Sequence, residues 1–188
     1  MAFKRTRKVY DEQTLYEYAV NALGRKMRTV SELKRLMRER VREQPHAELL
    51  VDVVVARLKE QKYLNDTSYA ESYSRFRKEN QKHGRIRVIQ DLKAKGVHQD
   101  IIEKTVTAAY DDVNEEHLAR QFLQRKRLKK PATQKDAARI FRTMMRGGFS
   151  SRVIFRILKS WDVDDETLSA LESEPIESPG PDREPTDA

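Results

Sequence analysis

The residues of this chain best able to do chemistry are cations, and they fall into three clusters. Arg35, Arg38, Arg40 and Arg42 make the first, and Lys82, His83, Arg85, Arg87, Lys93 and Lys95 the second. Arg125, Lys126, Arg127, Lys129 and Lys130 make the third. Such side chains donate to phosphate and carboxylate oxygens and hold their charge at neutral pH. The chemistry they offer is binding of a long anionic partner, each cation adding one contact. The clusters lack the interleaved aromatics on which unpaired bases stack, so they hold a polyanion without reading its sequence.

Groups suited to catalysis are thin. His46, His83, His98 and His117 are scattered, with no HxxxH pair to grip a metal. His117, beside Glu115 and Glu116, reads as a surface residue at a helix start. The chain has no cysteine, which removes zinc–thiolate sites, iron–sulfur clusters, disulfides and thiol nucleophiles together. Ser72 and Ser74 have no nearby base, and Ser150 reads as a helix cap. There is no GxGxxG, P-loop or GxSxG, and only 6 Gly in 188 residues. The expectation is a protein that is no enzyme and takes no cofactor or metal. The absence of cysteine, of an apolar run of about 18 residues and of a secretory h-region in MAFKRTRKVYDEQ points to the cytoplasm, away from membranes.

The elements that carry these cations are helical nearly throughout. Leu15, Tyr18, Ala19, Ala22 and Leu23 share one helical face, with Gly24 as a stop. Thr29 and Glu32 have capping-box spacing and open a helix with Leu33, Leu36 and Met37 inward. Leu50, Val54 and Leu58 form a third stripe; the β-branched run Val51–Val55 suits a strand, but the stripe runs on without turn residues. The phrase then recurs. Asp66 caps a helix with Tyr69, Ala70, Tyr73 and Phe76 inward; Ile86, Ile89 and Leu92 follow, ended by Gly96; then come Ile101, Ile102, Thr105, Val106 and Ala109. A third copy opens at Asn114 with Leu118, Ala119, Phe122 and Leu123. Thr133 caps Ala137, Ile140, Phe141 and Met144, ended by Gly147-Gly148, and the last stripe is Val153, Ile154, Ile157, Leu158 and Trp161.

DLKAKGVHQDII at Asp91–Ile102 aligns without a gap on TMMRGGFSSRVI at Thr143–Ile154, placing Gly96 on Gly148. The first copy has a longer connection through Gln44-Pro45 and Arg40 where the others carry Gly. A period of about 50 residues marks an internal repeat of the kind that stacks into an elongated array. The expected architecture is all-α, three tandem three-helix repeats in an elongated array. Its expected parts are a basic arm at 1–11, repeats at 12–65, 66–113 and 114–171, and a disordered acidic tail at 172–188. The tail holds four of the six prolines and six acids against one Arg, which leaves +13 on residues 1–171 where the whole chain carries +8.

A three-helix unit with a glycine-marked turn before its last helix has the outline of a helix-turn-helix. The third helices, VDVVVARLKE, QDIIEKTVTA and SRVIFRILKS, present few side chains that pair with base edges. A general DNA-binding protein and a helical scaffold for an acidic protein are therefore the two alternatives left open by the residues.

The stretch YLNDTSYAESYSRFRKENQKHGRIRVIQDLKAKGV, Tyr63–Val97, resembles the central signature of the RecX family of RecA regulators. The matching positions are Leu64, Asp66, Tyr69-Ala70, Tyr73 and Arg77, then Gly84-Arg85, then Leu92, Lys93, Lys95 and Gly96. Ala19, Leu23, Arg28, Ser31, Glu32 and Leu33 are similar to the family's opening pattern, and the likeness runs from Leu15 to Val163. It implies tandem three-helix repeats in an elongated, curved array that bind the RecA nucleoprotein filament along its groove and also bind DNA. The many cations and few base-reading side chains make the expected binding to single- and double-stranded DNA weak and without sequence preference. It implies modulation, usually inhibition, of RecA's ATPase, strand exchange and co-protease activity, hence a part in recombination and the SOS response. The residues expected to contact RecA or DNA are Arg35, Arg38, Arg40, Arg85, Arg87, Lys93, Lys95, Arg125, Lys126, Arg127, Lys129 and Lys130. Arg40 and the acidic tail depart from the family pattern.

Overall fold

A computed structural model describes residues 9–173, and these form ten α-helices and no strand. The helices are α1 (Glu12–Arg25), α2 (Val30–Val41), α3 (Ala47–Glu60), α4 (Asp66–Glu79), α5 (Arg85–Ala94), α6 (Gln99–Tyr110), α7 (Glu115–Arg125), α8 (Gln134–Arg146), α9 (Ser151–Lys159) and α10 (Asp165–Ser173). The local start signals act as expected. Thr29 and Glu32 form a capping box, and Asn114, Thr133 and Ser150 each accept a first-turn N–H. Of the expected arm at 1–11 and tail at 172–188, residues up to 8 and from 174 lie outside the described residues, while Glu172 and Ser173 belong to the end of α10.

The helices group into two compact units. The first is the described part of Met1–Tyr69 together with the short stretch Lys95–Val97. In it α1, α2 and α3 pack on one another around Leu15, Ala19, Leu33, Met37, Val41, Val51, Val54, Val55 and Leu58. The valine run is helical because Val51, Val54, Val55 and Leu58 together bury one face; packing outweighs the β-branched preference. Gly24 lies inside α1 rather than ending it. In register with Gly96 and Gly148 the first repeat carries Gln44; Arg40, expected at that place, lies inside α2. The connection after Val41 is only one residue longer than its counterparts, and His46 takes the left-handed conformation (φ 59°) as the N-cap of α3.

The first turn of α2 is the busiest point of this unit. Thr29 Oγ1 accepts from Glu32 N at 3.1 Å and donates to the Lys95 carbonyl at 2.7 Å. Val30 N donates to Asp66 Oδ1 at 2.8 Å, and Lys95 Nζ lies 3.2 Å from Glu32 Oε1. Asp66 therefore serves a helix 36 residues away. The cap of α4 is instead Asn65, whose side chain accepts from Thr67 N and Ser68 N, so the expected role of Asp66 is corrected. Burial pushes the Asp66 carboxyl above its ordinary range, against the opposing pull of the Val30 N–H.

The second unit comprises the rest, Ala70–Ala94 and the described part of His98–Ala188. Its centre between α4 and α5 is ionic. Asp91, 3% exposed, receives the Arg77 guanidinium, Arg87 Nε at 3.0 Å and the Tyr73 hydroxyl at 3.1 Å. Arg77 and Arg87 are 8% and 4% exposed. This corrects the expected apolar stripes. Phe76 and Ile86 point outward at 51% and 45% exposure, Tyr73 and Ile89 are half-buried, and charged groups fill the seam in their place.

The start of α5 closes on the α8–α9 turn. Gly84 N donates to the Gly147 carbonyl at 2.8 Å and Ile86 N to the Gly148 carbonyl at 3.3 Å, partners for donors that a helix start leaves bare. Gly148 has φ +86°, and a Cβ there would sit 2.3 Å from Arg87 N. In the first unit the counterpart is Gly96, at φ +73°, where a Cβ would lie 2.4 Å from Ser31 Oγ. Beyond this turn, Phe122, Phe141, Met144, Phe149, Ile154 and Ile157 form an apolar core under α7, α8 and α9. The tenth helix, unforeseen from the apolar stripes, buries Leu168 and Leu171 and packs on α8.

Two sets of stability measurements follow from these contacts. Gly148→Ala meets both a left-handed backbone and a main-chain clash, and loses about 2 kcal/mol or more in urea unfolding. Gly24→Ala, with open space around it, gains about 0.5–1 kcal/mol. Asp66→Ala removes the acceptor of Val30 N and costs about 1 kcal/mol, whereas Asp66→Asn keeps an acceptor. A carboxyl raised on folding binds its proton more tightly in the native state, so its charge lowers stability as pH rises above the ordinary aspartate range. Melting curves of the parent and Asp66→Asn therefore differ least in acid and separate as pH rises toward neutral.

Candidate functional site

Packing divides the expected binding residues sharply. In the first unit, Arg35, Arg38 and Arg40 are exposed on or near the outer side of α2. Arg38 is spanned by a carboxylate, with Nε 2.9 Å from Glu48 Oε1 and Nη2 2.9 Å from Glu48 Oε2. Lys34 Nζ meets Asp52 Oδ1 at 2.7 Å. These cations hold the carboxyls of Glu48 and Asp52 below their ordinary range. The Arg40 guanidinium lies 4.9 Å from the centre of the Tyr18 ring. Arg35 makes no ion pair among the described residues.

In the second cluster Arg85 and Lys93 are exposed, and Arg85 Nη2 donates to Thr107 Oγ1 at 2.9 Å. Arg87 and Lys95 are corrections. Arg87 is buried against Asp91, and Lys95, with its side chain 13% exposed, is tied to Glu32. Each holds the fold together, and neither stands ready for a partner. The signal for Arg87 was present as its i,i+4 spacing to Asp91, but the second cation on that carboxylate, Arg77, is 14 residues away in sequence.

The third cluster is open. Arg125, Lys126, Arg127, Lys129 and Lys130 are all exposed at the end of α7 and in the segment after it. Lys130 Nζ pairs with Asp162 at 2.6 Å, and Lys126 Nζ lies 5.7 Å from the Phe122 ring centre. Arg125, Arg127 and Lys129 make no ion pair among the described residues. One more basic group is spread along a helix instead of clustered in sequence. Lys135, Arg139, Arg142 and Arg146 are exposed along α8, and their 4-3-4 spacing is the signal that finds them.

Other arrangements offer little chemistry. A cavity of about 340 Å³ is lined by Lys78, Lys82, Asp112, Asn114, His117 and Gln121, groups of mixed sign, with the Lys78 ammonium bound to the Ala109 carbonyl at 2.8 Å. Among the described residues no three His, Asp or Glu side chains converge as a metal site. No described helix is long and apolar enough to cross a membrane.

Comparison with known proteins places this geometry in context. A family model described as "RecX, second three-helix domain" matches residues 65–106. The regulatory protein RecX of Myxococcus xanthus is 30% identical over 170 residues, covering 84% of this chain and 90% of that protein. The regulatory protein RecX of Bacillus velezensis is 26% identical over 164 residues, covering 87% of this chain. The chain spans 61% of the length of that longer relative. The crystal structure of RecX from Lactobacillus salivarius superposes with a TM-score of 0.60 at 23% identity, over 80% of this chain and 96% of that one. That likeness is one of fold.

The division between buried and exposed cations is tested by charge reversal. Arg87→Glu sets two carboxylates together out of water and destabilises the protein by about 3–5 kcal/mol, the range for breaking a buried pair. Reversing Arg125, Lys126, Arg127 and Lys129 together leaves helicity unchanged and the melting temperature within a few degrees, by circular dichroism.

Proposed function

The chain belongs to the RecX family, and from that premise we propose that it binds the RecA nucleoprotein filament and restrains its ATPase, strand-exchange and co-protease activities. It acts by occupancy, with no chemistry of its own, in recombination and the SOS response. One observation supports this above the rest: exposed cations recur from repeat to repeat on a scaffold that offers no convergent catalytic cluster among its described residues. Arg35 lies on α2, Arg85 and Lys93 on α5, and Arg125, Arg127 and Lys129 at and beyond the end of α7. A filament repeats its groove at every subunit, and a repeat protein meets it with several weak contacts linked on one chain. Linked contacts gain strength from effective concentration rather than from any single strong site.

Contact with DNA belongs to the same proposal. The exposed residues are rich in phosphate-binding cations and poor in side chains that pair with base edges, so DNA contact is salt-sensitive and indifferent to sequence.

The test uses RecA's ATPase on single-stranded DNA, titrated with the parent and with two charge-reversed sets. One set is Arg85 and Lys93; the other is Arg125, Lys126, Arg127 and Lys129. Each set alone raises the half-inhibitory concentration several-fold, and the two together multiply, as avidity requires. Equal inhibition by the doubly reversed protein and the parent overturns the assignment of these cations.

A further inference from the structure

We propose that the outer face of α8 is a contact site for the phosphate backbone of nucleic acid, formed by Lys135, Arg139, Arg142 and Arg146. The inference rests on the DNA-binding part of the function above and locates it on one helix. The four positions fall within one narrow strip, because steps of four, three and four residues return to the same side of an α-helix. The strip lies opposite the buried face made by Ala137, Ile140, Phe141 and Met144. From first to last it covers about 16 Å at 1.5 Å per residue, enough to follow several successive phosphates of one strand.

Three of the four charges, those of Lys135, Arg139 and Arg146, are left standing. On α2, Lys34 and Arg38 are met by Asp52 and Glu48 of the following helix. The N-caps of the third helices, His46, His98 and Ser150, fall 52 residues apart each time. In that register the positions of Glu48 and Asp52 are taken in α9 by Arg152 and Arg156. The two acids that neutralise Lys34 and Arg38 are thus arginines in the third repeat, where the counterparts of Lys34 and Arg38 are Ala138 and Arg142. Lys135, Arg139 and Arg146 make no ion pair among the described residues, and Asp136 is the one acid within α8.

The rest of the surface decides what the anion is. A protein partner is held by apolar and aromatic anchors at the middle of the contact. The large exposed apolar side chains of the described residues are Val9, Met27, Leu49, Val53, Tyr63, Phe76 and Ile86, and none is on α8 or α9. Nor is there a polar group poised to read bases, since the Thr143 hydroxyl, between the arginines, donates to the Arg139 carbonyl at 2.7 Å. A row of guanidiniums without anchors or readers fits phosphate oxygens, which arginine holds two at a time.

The test measures binding of the full chain to a thymidine homopolymer by fluorescence anisotropy across a salt series. Replacing all four residues with glutamine weakens binding by at least about tenfold and lowers the steepness of the log–log salt dependence by about 3, at 0.7 per phosphate contact. Lys135→Gln and Arg139→Gln singly each lower it by about 0.7. Arg139→Lys, Arg142→Lys and Arg146→Lys together keep the steepness, because the charge remains. A four-glutamine protein with the parent's salt dependence overturns the site and leaves the DNA reading intact; a parent that does not bind the homopolymer overturns that reading and the site with it. Equal losses on neutralising Arg25, Lys62, Arg75 and Lys104, exposed cations given no binding role, mean that net charge alone is felt, and equal losses of binding to polyglutamate mean an acidic protein partner. Either result also overturns the site.

Discussion

One carboxylate, that of Asp91, sets the geometry of the second unit. It takes two guanidiniums and a phenol in a seam closed to water. Removing such ions from water is costly, and the attraction between them repays it only when the geometry is good. The seam is therefore intolerant of other arrangements in a way an apolar one is not, because a shift of α4 against α5 strands a charge. With α5 held so, its first turn faces the α8–α9 loop, and the Gly147 and Gly148 carbonyls complete its open donors. The cations displayed on α5 and α8 are placed by this chain of contacts, which begins at a group with no outward role.

Much of the fold was legible because its signals are local. A cap is a side chain bonded to an N–H two or three residues on, so Thr29, Asn114, Thr133 and Ser150 declare themselves in the sequence. The glycines at 96 and 148 were legible by their alignment, and the left-handed turns explain it. What escaped was settled at a distance. Asp66 faces Val30 rather than its own helix, and periodicity counted Ile86 and Phe76 inward because it weighs apolar residues alone. The signal for α10 was short, an Asp164-to-Thr167 cap ahead of Leu168 and Leu171. Among the binding candidates, density in sequence drew the eye to loops and past the regular spacing on α8, and it counted Arg87 and Lys95 as surface when both are bound inside.

Repetition of a fold does not entail repetition of a role. The caps, the left-handed turns and the three-helix phrase recur because each copy must solve the same packing problem. The electrostatics need not recur, since substitution at exposed positions costs little stability. The first repeat uses Glu48 and Asp52 to cancel its second helix, while the third carries arginine at both places. A family of such proteins can in this way keep one scaffold while moving its charge from copy to copy.

The first unit is not contiguous in the chain. Its α2 is finished by the Lys95 carbonyl and by Gly96 against Ser31, although the helices it packs with end at Glu60. On a ribosome, which adds about 5–20 residues each second, those partners arrive only after all of α4 and α5 have been made. Until then the nascent chain holds a capped α2 whose Thr29 hydroxyl and Glu32 carboxylate lack their partners at residue 95. The repeats cannot mature one by one in order of synthesis, and the first waits on the second, so a premature stop between residues 70 and 94 yields a product lacking the closing piece of a unit that had otherwise been fully translated.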